Sequence, residues 1–376
     1  MRDSLKNLIL FFFSIVFVLG ILEGGLRYLN HWMGHYPQKD SILHHSLLPK
    51  AKIKRSNHEF EVSYEINSYG LRDHEYPLQK PPSTYRILML GDSYTFGIGN
   101  NLEDTFSKRL EKKLNSQNKS LHFEVINGGC SSYSPLLEYL FLIRKGLALN
   151  PDLVILNYDI SDVQDDTKYS GIAEFDSTGH PIRVPPVEVQ YYFQEIKKGF
   201  RSRIPFLQNS ALYQFVMERY YQVVRKRDAP LFYEQAKIIA GNIDYDRDLP
   251  MRENAGDWKK YFENSAHYLK MIQELLKSKN ISFVITAYPY GTLVSEKEWA
   301  IGRKLRGFDE KIYSTKLFDY LEEFCRSERI PFLNMTPDFL NSKEFPLFYS
   351  YDGHFTPAGH EVAAQSLKKF LEGTSL

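Results

Sequence analysis

Tyr85-Arg86-Ile87-Leu88-Met89-Leu90-Gly91-Asp92-Ser93-Tyr94-Thr95-Phe96-Gly97 is an apolar run that stops at a small polar turn. Tyr85 to Leu90 has the length and composition of a buried strand, and beyond the turn Phe106, Leu110 and Leu114 repeat at helical spacing after Glu103-Asp104-Thr105. Ser93 therefore sits between a strand and a helix. A serine at the abrupt end of a buried strand is held where its hydroxyl can act as a nucleophile.

Strand-like runs recur along the chain. Phe123 to Ile126, Leu153 to Leu156, Ile281 to Thr286 and Pro331 to Leu333 join Tyr85 to Leu90 as five short strands. Amphipathic stretches such as Thr105 to Leu114 and Tyr313 to Arg326 lie between most of them, the pattern of a parallel sheet covered on both faces. Ligands of such sheets gather at the carboxyl ends of the strands, and Ser93 follows one of those ends.

A second chemical signal lies near the C-terminus, in Tyr351-Asp352-Gly353-His354-Phe355-Thr356-Pro357. Thr356 and Pro357 read as the cap and first residue of a final helix with Val362, Ala363, Leu367 and Phe370 on one face. Asp352 and His354 fall in the loop before it, close enough for the carboxylate to orient the imidazole. A serine needs such a base, because its free hydroxyl is a weak nucleophile at neutral pH. His360, one turn into the helix, competes as a base but has the position of a packing or capping residue.

The composition is that of a folded chain: 376 residues, 43% hydrophobic, 15% aromatic and 25% charged. Forty-seven Lys and Arg against forty-six Asp and Glu leave no global footprint for nucleic acid. Cys130 and Cys325 form no disulfide framework and have no metal-ligand spacing; Cys130 reads as a small buried residue. His44-His45 has no partner at zinc spacing and reads as a solvated pair. Gly97-Ile98-Gly99 lacks the third glycine of a dinucleotide loop, and no Gly-Lys-Ser/Thr follows Gly91. Neither a cofactor nor a metal is expected.

Leu8 to Leu22 is an unbroken apolar run after Arg2 and Lys6. As a helix it covers roughly 22 Å of the ~30 Å hydrocarbon core, and Gly24, Gly25, Leu26 and Tyr28 extend it. A cleaved signal peptide and a buried core helix are the alternatives. The run has no clean small-x-small cleavage site and carries Glu23 and Arg27 where cleavage would fall, so we read an uncleaved signal anchor. Its positive flank places the rest of the chain outside the cytoplasm, periplasmic or extracellular.

The motifs together resemble the SGNH or GDSL hydrolase superfamily. Gly91-Asp92-Ser93 matches its first block and Asn127-Gly128-Gly129 the start of the second. Pro151-Asp152-Leu153-Val154-Ile155-Leu156 with Asp162 matches the third, and Asp352-x-His354 the last. The Asp-x-His spacing, where small secreted esterases have Asp-x-x-His, is similar to that of membrane-anchored members and the alginate O-acetylation proteins. Asn67-Ser68-Tyr69-Gly70-Leu71-Arg72 resembles a segment such members carry before the first block, and reads equally as a simple turn. The resemblance implies an α/β fold: a three-layer α/β/α sandwich with a flavodoxin-like parallel five-stranded sheet, here with an N-terminal transmembrane helix and a helical insertion. Residues 1–30 are then the anchor, 31–84 an extracytoplasmic linker and N-terminal extension, and 85–376 the hydrolase-like domain with an insertion at 165–260.

Carried over to this sequence, the resemblance makes Ser93 the nucleophile, His354 the general base and Asp352 its orienting partner. It also implies an oxyanion hole built from the nucleophile's backbone N–H, a block-two glycine N–H and a block-three asparagine side chain; the last two positions hold Ser132 and Ser161. Any residue supplies a backbone N–H, but losing one side-chain donor typically costs ~10² to 10³ in turnover. The Ser161 hydroxyl and the nearby Asn157 are substitute donors. In the insertion, Tyr191-Tyr192-Phe193, Tyr213, Phe215, Tyr220-Tyr221 and Phe232-Tyr233 alternate with Lys197, Lys198, Arg201, Arg203, Arg225, Lys226 and Arg227. These residues suit either a helical cap packed on the core or an anionic glycan. The expected function is cleavage of small O-acyl groups from a cell-envelope glycan or lipid. An O-acyltransferase with a sugar hydroxyl as acceptor and a catalytically silent glycan-binding or assembly protein are the alternatives.

Overall fold

Along Ile87–Leu90 the side chains alternate between two cores, as the pleat of a strand requires. The computed structural model describes residues 2–33, 38–117, 120–186, 210, 212–213, 216, 258–305 and 314–374. They fall into two units: residues 36–186 with 244–376, and residues 1–35 with 187–243.

In the smaller unit Arg2–Met33 is a helix, α1, whose Glu23 carboxylate accepts from Ser210 Oγ and Leu212 N at 2.9 Å each. Leu10, Phe11, Phe13, Val16 and Phe17 on α1 are exposed. Counted over the described residues, no helix is long and apolar enough to cross a membrane. Of the aromatic and basic residues named above in the insertion, all but Tyr213 lie outside the described residues.

The larger unit opens with two antiparallel hairpins, β1 (Gln38–Asp40) with β2 (His44–Ser46) and β3 (Lys52–Ser56) with β4 (Glu61–Glu65). Then follow β5 (Thr84–Gly91), α2 (Ser93–Phe96), α3 (Phe106–Gln117), β6 (His122–Asn127), α4 (Pro135–Arg144), β7 (Leu153–Tyr158) and α5 (Asp162–Ser170). A small hairpin of β8 (Glu174–Phe175) and β9 (Pro181–Arg183) precedes α6 (Trp258–Ser278) and β10 (Ser282–Ala287). The chain ends with α7 (Gly291–Val294), α8 (Ala300–Leu305), α9 (Lys316–Glu328), β11 (Phe332–Asn334), α10 (Thr336–Leu340) and α11 (Pro357–Gly373).

All five expected strands form and pair in parallel in the order β11-β10-β7-β5-β6. Numbered within the sheet this is 2-1-3-4-5, the flavodoxin-like doubly wound order, whose switch point lies between β5 and β7. Ile87, Met89, Val125, Ile155 and Val284 pack on one face with Phe106, Leu110 and Leu114 of α3 and Ala363, Ala364 and Leu367 of α11. Leu88, Leu90, Ile126, Val154, Leu156 and Ile285 pack on the other with α4, α6 and α9. Two apolar faces on every strand explain why the strands read as continuous hydrophobic runs and not as alternating ones.

Residues 38–84 are built into this unit. Leu43, Leu47, Tyr64, Ile66 and Leu71 are buried in the second of these cores, and Arg72 is fully buried. Residues 165–186 are also part of it: Asp165, Asp166 and Tyr169 are buried, and Asp166 Oδ2 accepts from Ser265 Oγ of α6 at 2.6 Å.

Candidate active site

The turn after β5 is shaped by what it packs against. Gly91 has a φ of 149°, and a Cβ there would come within 2.1 Å of Thr95 Oγ1. Asp92 caps α2, its Oδ1 accepting from Tyr94 N at 2.9 Å, and Ser93 is the first helical residue, half-buried. From the next strand, Gly129 lies against the turn so closely that a Cβ would stand 2.3 Å from Phe96 N and 2.6 Å from Thr95 C. Backbone cannot give way cheaply there. Gly129→Ala is expected to cost about 1–3 kcal/mol of stability and to displace Ser93. A urea midpoint equal to that of the wild type would contradict it.

On the opposite side of the cleft, the loop before α11 brings in Asp352 and His354. Pro357 opens α11, and the Thr356 side chain caps it by accepting from Gly359 N, as the sequence reading has it. His354 Nε2 lies 2.7 Å from Ser93 Oγ, a contact between residues 261 apart in the chain. Its Nδ1 is hydrogen-bonded to Asp352 Oδ1. The side chains of His354 and Asp352 keep 20% and 27% of their surface exposed, so a small substrate reaches them. The structure thus brings Ser93, His354 and Asp352 into one hydrogen-bonded line. His360 is elsewhere: it is buried between Phe106 and Phe355, its Nδ1 accepting from Phe106 N at 3.2 Å.

The electrostatics follow from the placement. Burial disfavours the charged imidazole of His354, but the Asp352 carboxylate, its hydrogen bond, and Asp92 and Asp159 outweigh that and hold its pKa above the ordinary value. Burial also works against an ionised Asp352, and is outweighed by the facing His354 and by hydrogen bonds, so its carboxyl stays below the usual range. A base must be neutral to accept a proton. The acid limb of kcat/KM for an uncharged ester is therefore expected to have its midpoint above the unperturbed ~6.5 of histidine, with activity rising as pH increases through it. A pH–rate profile with its midpoint at or below that value would contradict this.

Beside Ser93 lies a second carboxyl group. Asp92 Oδ2 is 3.2 Å from Ser93 Oγ, and burial with the charge of Asp159 pushes its pKa up. The Tyr288 hydroxyl stands 3.0 Å from both Asp92 Oδ1 and Asp159 Oδ2, and Tyr290 donates to Asp159 Oδ1 at 2.6 Å. Nothing in the sequence pattern singles out Asp159, Tyr288 or Tyr290. Their position at the ends of β7 and β10, beside the switch point, is the signal that finds them.

The expected oxyanion donors are placed differently from one another. Asn157 is fully buried in β7, its Nδ2 donating to Leu90 O at 2.8 Å and its Oδ1 accepting from Thr286 Oγ1 at 2.9 Å. Its carboxamide thus stitches β5, β7 and β10 together. Ser161 is the residue before α5, its N–H donating to Asp159 Oδ1 at 2.7 Å. Ser132 has a φ of 62°, a left-handed conformation that glycine adopts without strain. It is kept there by its neighbours. Tyr169 Oη donates to Ser132 O at 3.0 Å, and His45 Nε2 lies 2.7 Å from Ser131 O.

That last contact corrects the reading of His44-His45 as solvated. His45 is only 9% exposed, because β2 packs on the block-two loop. Cys130 is buried, as read, and burial raises its thiol pKa. Asn67-Ser68-Tyr69-Gly70-Leu71-Arg72 is a turn and more than a turn. Asn67 Oδ1 accepts from Tyr69 N and Leu71 N at 3.0 Å each, and Arg72 reaches the nucleophile turn, donating to Phe96 O at 2.6 Å, to Gly97 O at 2.7 Å and to Asn100 O. Among the described residues no group of three or more His, Cys, Asp or Glu side chains could hold a metal ion. A cleft of about 840 Å³ lined by Tyr85, Asn150, Asp152 and Ser282 lies at the amino ends of the strands, the opposite edge of the sheet from Ser93.

Comparison with known proteins adds three findings. Residues 249–376 match the family model described as the SGNH hydrolase-like domain of the acetyltransferase AlgX. No curated protein matches the chain. Similar solved structures include the acetyl xylan esterase AlAXEase, with 12% identity and a TM-score of 0.39 over 76% of this chain and 98% of that one. A catalytic mutant of Axe2, an acetylxylan esterase from Geobacillus stearothermophilus, gives 12%, 0.40, 76% and 94%. A putative lipolytic protein of the G-D-S-L family from Desulfitobacterium hafniense gives 12%, 0.35, 76% and 98%. The four sequence blocks that resemble the SGNH/GDSL hydrolase superfamily stand in order around one flavodoxin-like sheet, and the last third of the chain matches the SGNH hydrolase-like domain of this acetyltransferase family.

Proposed function

We propose that this protein is a serine enzyme that cleaves or transfers small O-acyl groups on a cell-envelope glycan or lipid. The observation that carries the proposal is the line Ser93 Oγ, His354 Nε2 at 2.7 Å, and Asp352 on the other ring nitrogen. Ser93 Oγ attacks the ester carbonyl carbon while its proton passes to His354 Nε2. The C–O bond to the alcohol then breaks, and His354 returns the proton to the leaving oxygen. Water attacks the acyl-enzyme next, its proton goes to His354, and the carboxylic acid leaves as Ser93 regains a proton. Asp352 stays ionised throughout and stabilises the imidazolium. The oxyanion is assigned to the backbone N–H groups of Ser93 and Ser132 with the hydroxyl of Ser161; Asn157, committed to the sheet, is left out.

A second reading has its own support. The family model over residues 249–376 is that of an acetyltransferase, in which the acyl-enzyme would be attacked by a sugar hydroxyl in place of water. The two differ only in the final acceptor. We also propose α1 as a membrane anchor that leaves the catalytic unit outside the cytoplasm; its support is the uncharged run Leu8–Leu22, the exposed apolar side chains on that helix and the flanking Arg2 and Lys6.

The test uses the full chain in detergent, with fluorophosphonate labelling, p-nitrophenyl acetate turnover, and the same ester with an oligosaccharide acceptor added. Labelling with release of acetate supports the hydrolase. Labelling with little hydrolysis but acetylated oligosaccharide assigns the transferase. An unlabelled wild-type protein removes both and leaves the binding reading.

A further inference from the structure

The loop that carries Asp352 and His354 is held at almost every peptide group. Ile301 N and Gly302 N donate to Ser350 O at 3.0 and 2.8 Å, and Trp299 Nε1 donates to Tyr351 O at 3.1 Å. Tyr94 Oη donates to Gly353 O and Asn100 Nδ2 to Phe355 O, both at 2.8 Å. The N–H groups of Tyr351 and Asp352 go to a single carboxylate. Glu59 accepts from Tyr351 N with Oε1 and from Asp352 N with Oε2, at 2.9 Å each.

Glu59 stands in the connection between β3 and β4, in the segment before Ser93 and outside all four sequence blocks. That connection is itself shaped for the contact. Asn57 Oδ1 accepts from Glu59 N at 2.8 Å and from Phe60 N at 2.9 Å. The His58 ring meets Tyr351 edge-on at 4.1 Å, and Phe60 packs on Tyr349 at 5.1 Å. The same N-terminal extension supplies Arg72, whose guanidinium holds the carbonyls of the nucleophile turn. The extension thus touches both halves of the site, the serine side through Arg72 and the acid–base side through Glu59.

We propose that Glu59 is a positioning residue: by gripping the backbone N–H groups of Tyr351 and Asp352 it fixes the Asp352 carboxylate, and through it the His354 ring, in line with Ser93. The proposal rests on the reading of Ser93, His354 and Asp352 as acyl-transfer machinery. A carboxylate accepting two N–H bonds forms charge-assisted contacts that hold a peptide plane in orientation as well as position. Released from Glu59, the 351–352 peptide rotates and carries the Asp352 side chain away from His354 Nδ1. A misplacement of ~1 Å in such a constellation costs as much as ~10²-fold in rate. The charged and titratable groups that bear on His354 are Asp352 from its own loop, Asp92 from the end of β5 and Asp159 from the end of β7; Arg55 and Glu59 of the hairpin bear on Asp352.

The experiment compares Glu59→Ala and Glu59→Gln in the full chain with the wild type and with Glu61→Ala, a residue paired with Lys54 on the surface of the same hairpin. Fluorophosphonate titration counts competent Ser93, and p-nitrophenyl acetate turnover is expressed per titrated site. Glu59→Ala is expected to lower kcat per site by about 10- to 100-fold with KM little changed. The acid limb of kcat/KM moves toward lower pH, because His354 loses part of the Asp352 influence. Glu59→Gln, which keeps one acceptor, falls between, and Glu61→Ala follows the wild type. Fewer titratable sites with unchanged kcat per site and an unmoved limb mean that Glu59 serves folding alone, which overturns the proposal. Full activity per site in Glu59→Ala overturns it as well. An unlabelled wild type overturns the serine reading beneath it, an outcome distinct from a labelled wild type with silent Glu59 variants.

Discussion

Ser93→Ala is expected to abolish fluorophosphonate labelling and to reduce p-nitrophenyl acetate turnover by about 10⁴- to 10⁶-fold, to whatever the remaining donors supply. The size follows from the place of Oγ. In the proposed mechanism it is the atom that forms the acyl bond, and it is the group His354 Nε2 faces at 2.7 Å. No neighbour replaces it: Cys130 is buried with its thiol held protonated, and Ser132 and Ser161 lie on other loops. Folding should be untouched or improved, since the hydroxyl is half-buried and its other contact is a 3.2 Å approach to the buried Asp92. A thermal midpoint at or above wild type, with turnover gone, is the expected pair of results. Turnover within tenfold of the wild type would sink the nucleophile assignment.

Asp352→Asn is expected to lower kcat by about 10³- to 10⁴-fold while leaving the protein folded. The amide fills the same space but presents N–H where the carboxylate accepted. It therefore favours the imidazole tautomer with its proton on Nε2, the atom that must take the proton from Ser93. The substitution also removes the charge that holds the His354 pKa up, so the residual activity should persist to lower pH than in the wild type. Loss of kcat without that displacement of the acid limb would mean that Asp352 serves the loop's shape and not the imidazole.

How much of this was legible depends on the range of the forces involved. The five strands could be read because each is buried on two faces and so must be apolar throughout. The helix starts at Thr356-Pro357 could be read because a cap and a proline act on their own turn. Ser93, Asp352 and His354 were legible as residue types in the right order, since the chemistry demands a nucleophile, a base and a carboxylate.

Other features left no local trace. His45 looks like a surface residue in sequence and is buried because β2 packs on the Ser131 loop. Asn157, placed like a donor at the end of a strand, is spent on Leu90 and Thr286, which pairing with both neighbouring strands sets beside it. Glu59 is one acidic residue among many until the fold lays its hairpin against the backbone of Tyr351 and Asp352, which lie some 290 residues further on.

The sequence by itself determined the strand-turn-helix around Ser93, the doubly wound α/β class and the three side chains able to run acyl transfer. Each of those depends on local burial patterns, caps or the intrinsic reactivity of a side chain. Only the tertiary structure decided that Ser93, His354 and Asp352 meet, that Asp92 and Asp159 share the space beside them, and that Arg72 and Glu59 hold the two halves in register. Those are contacts between groups distant in the chain, and their geometry is fixed by how the sheet, the extension and the last loop pack together.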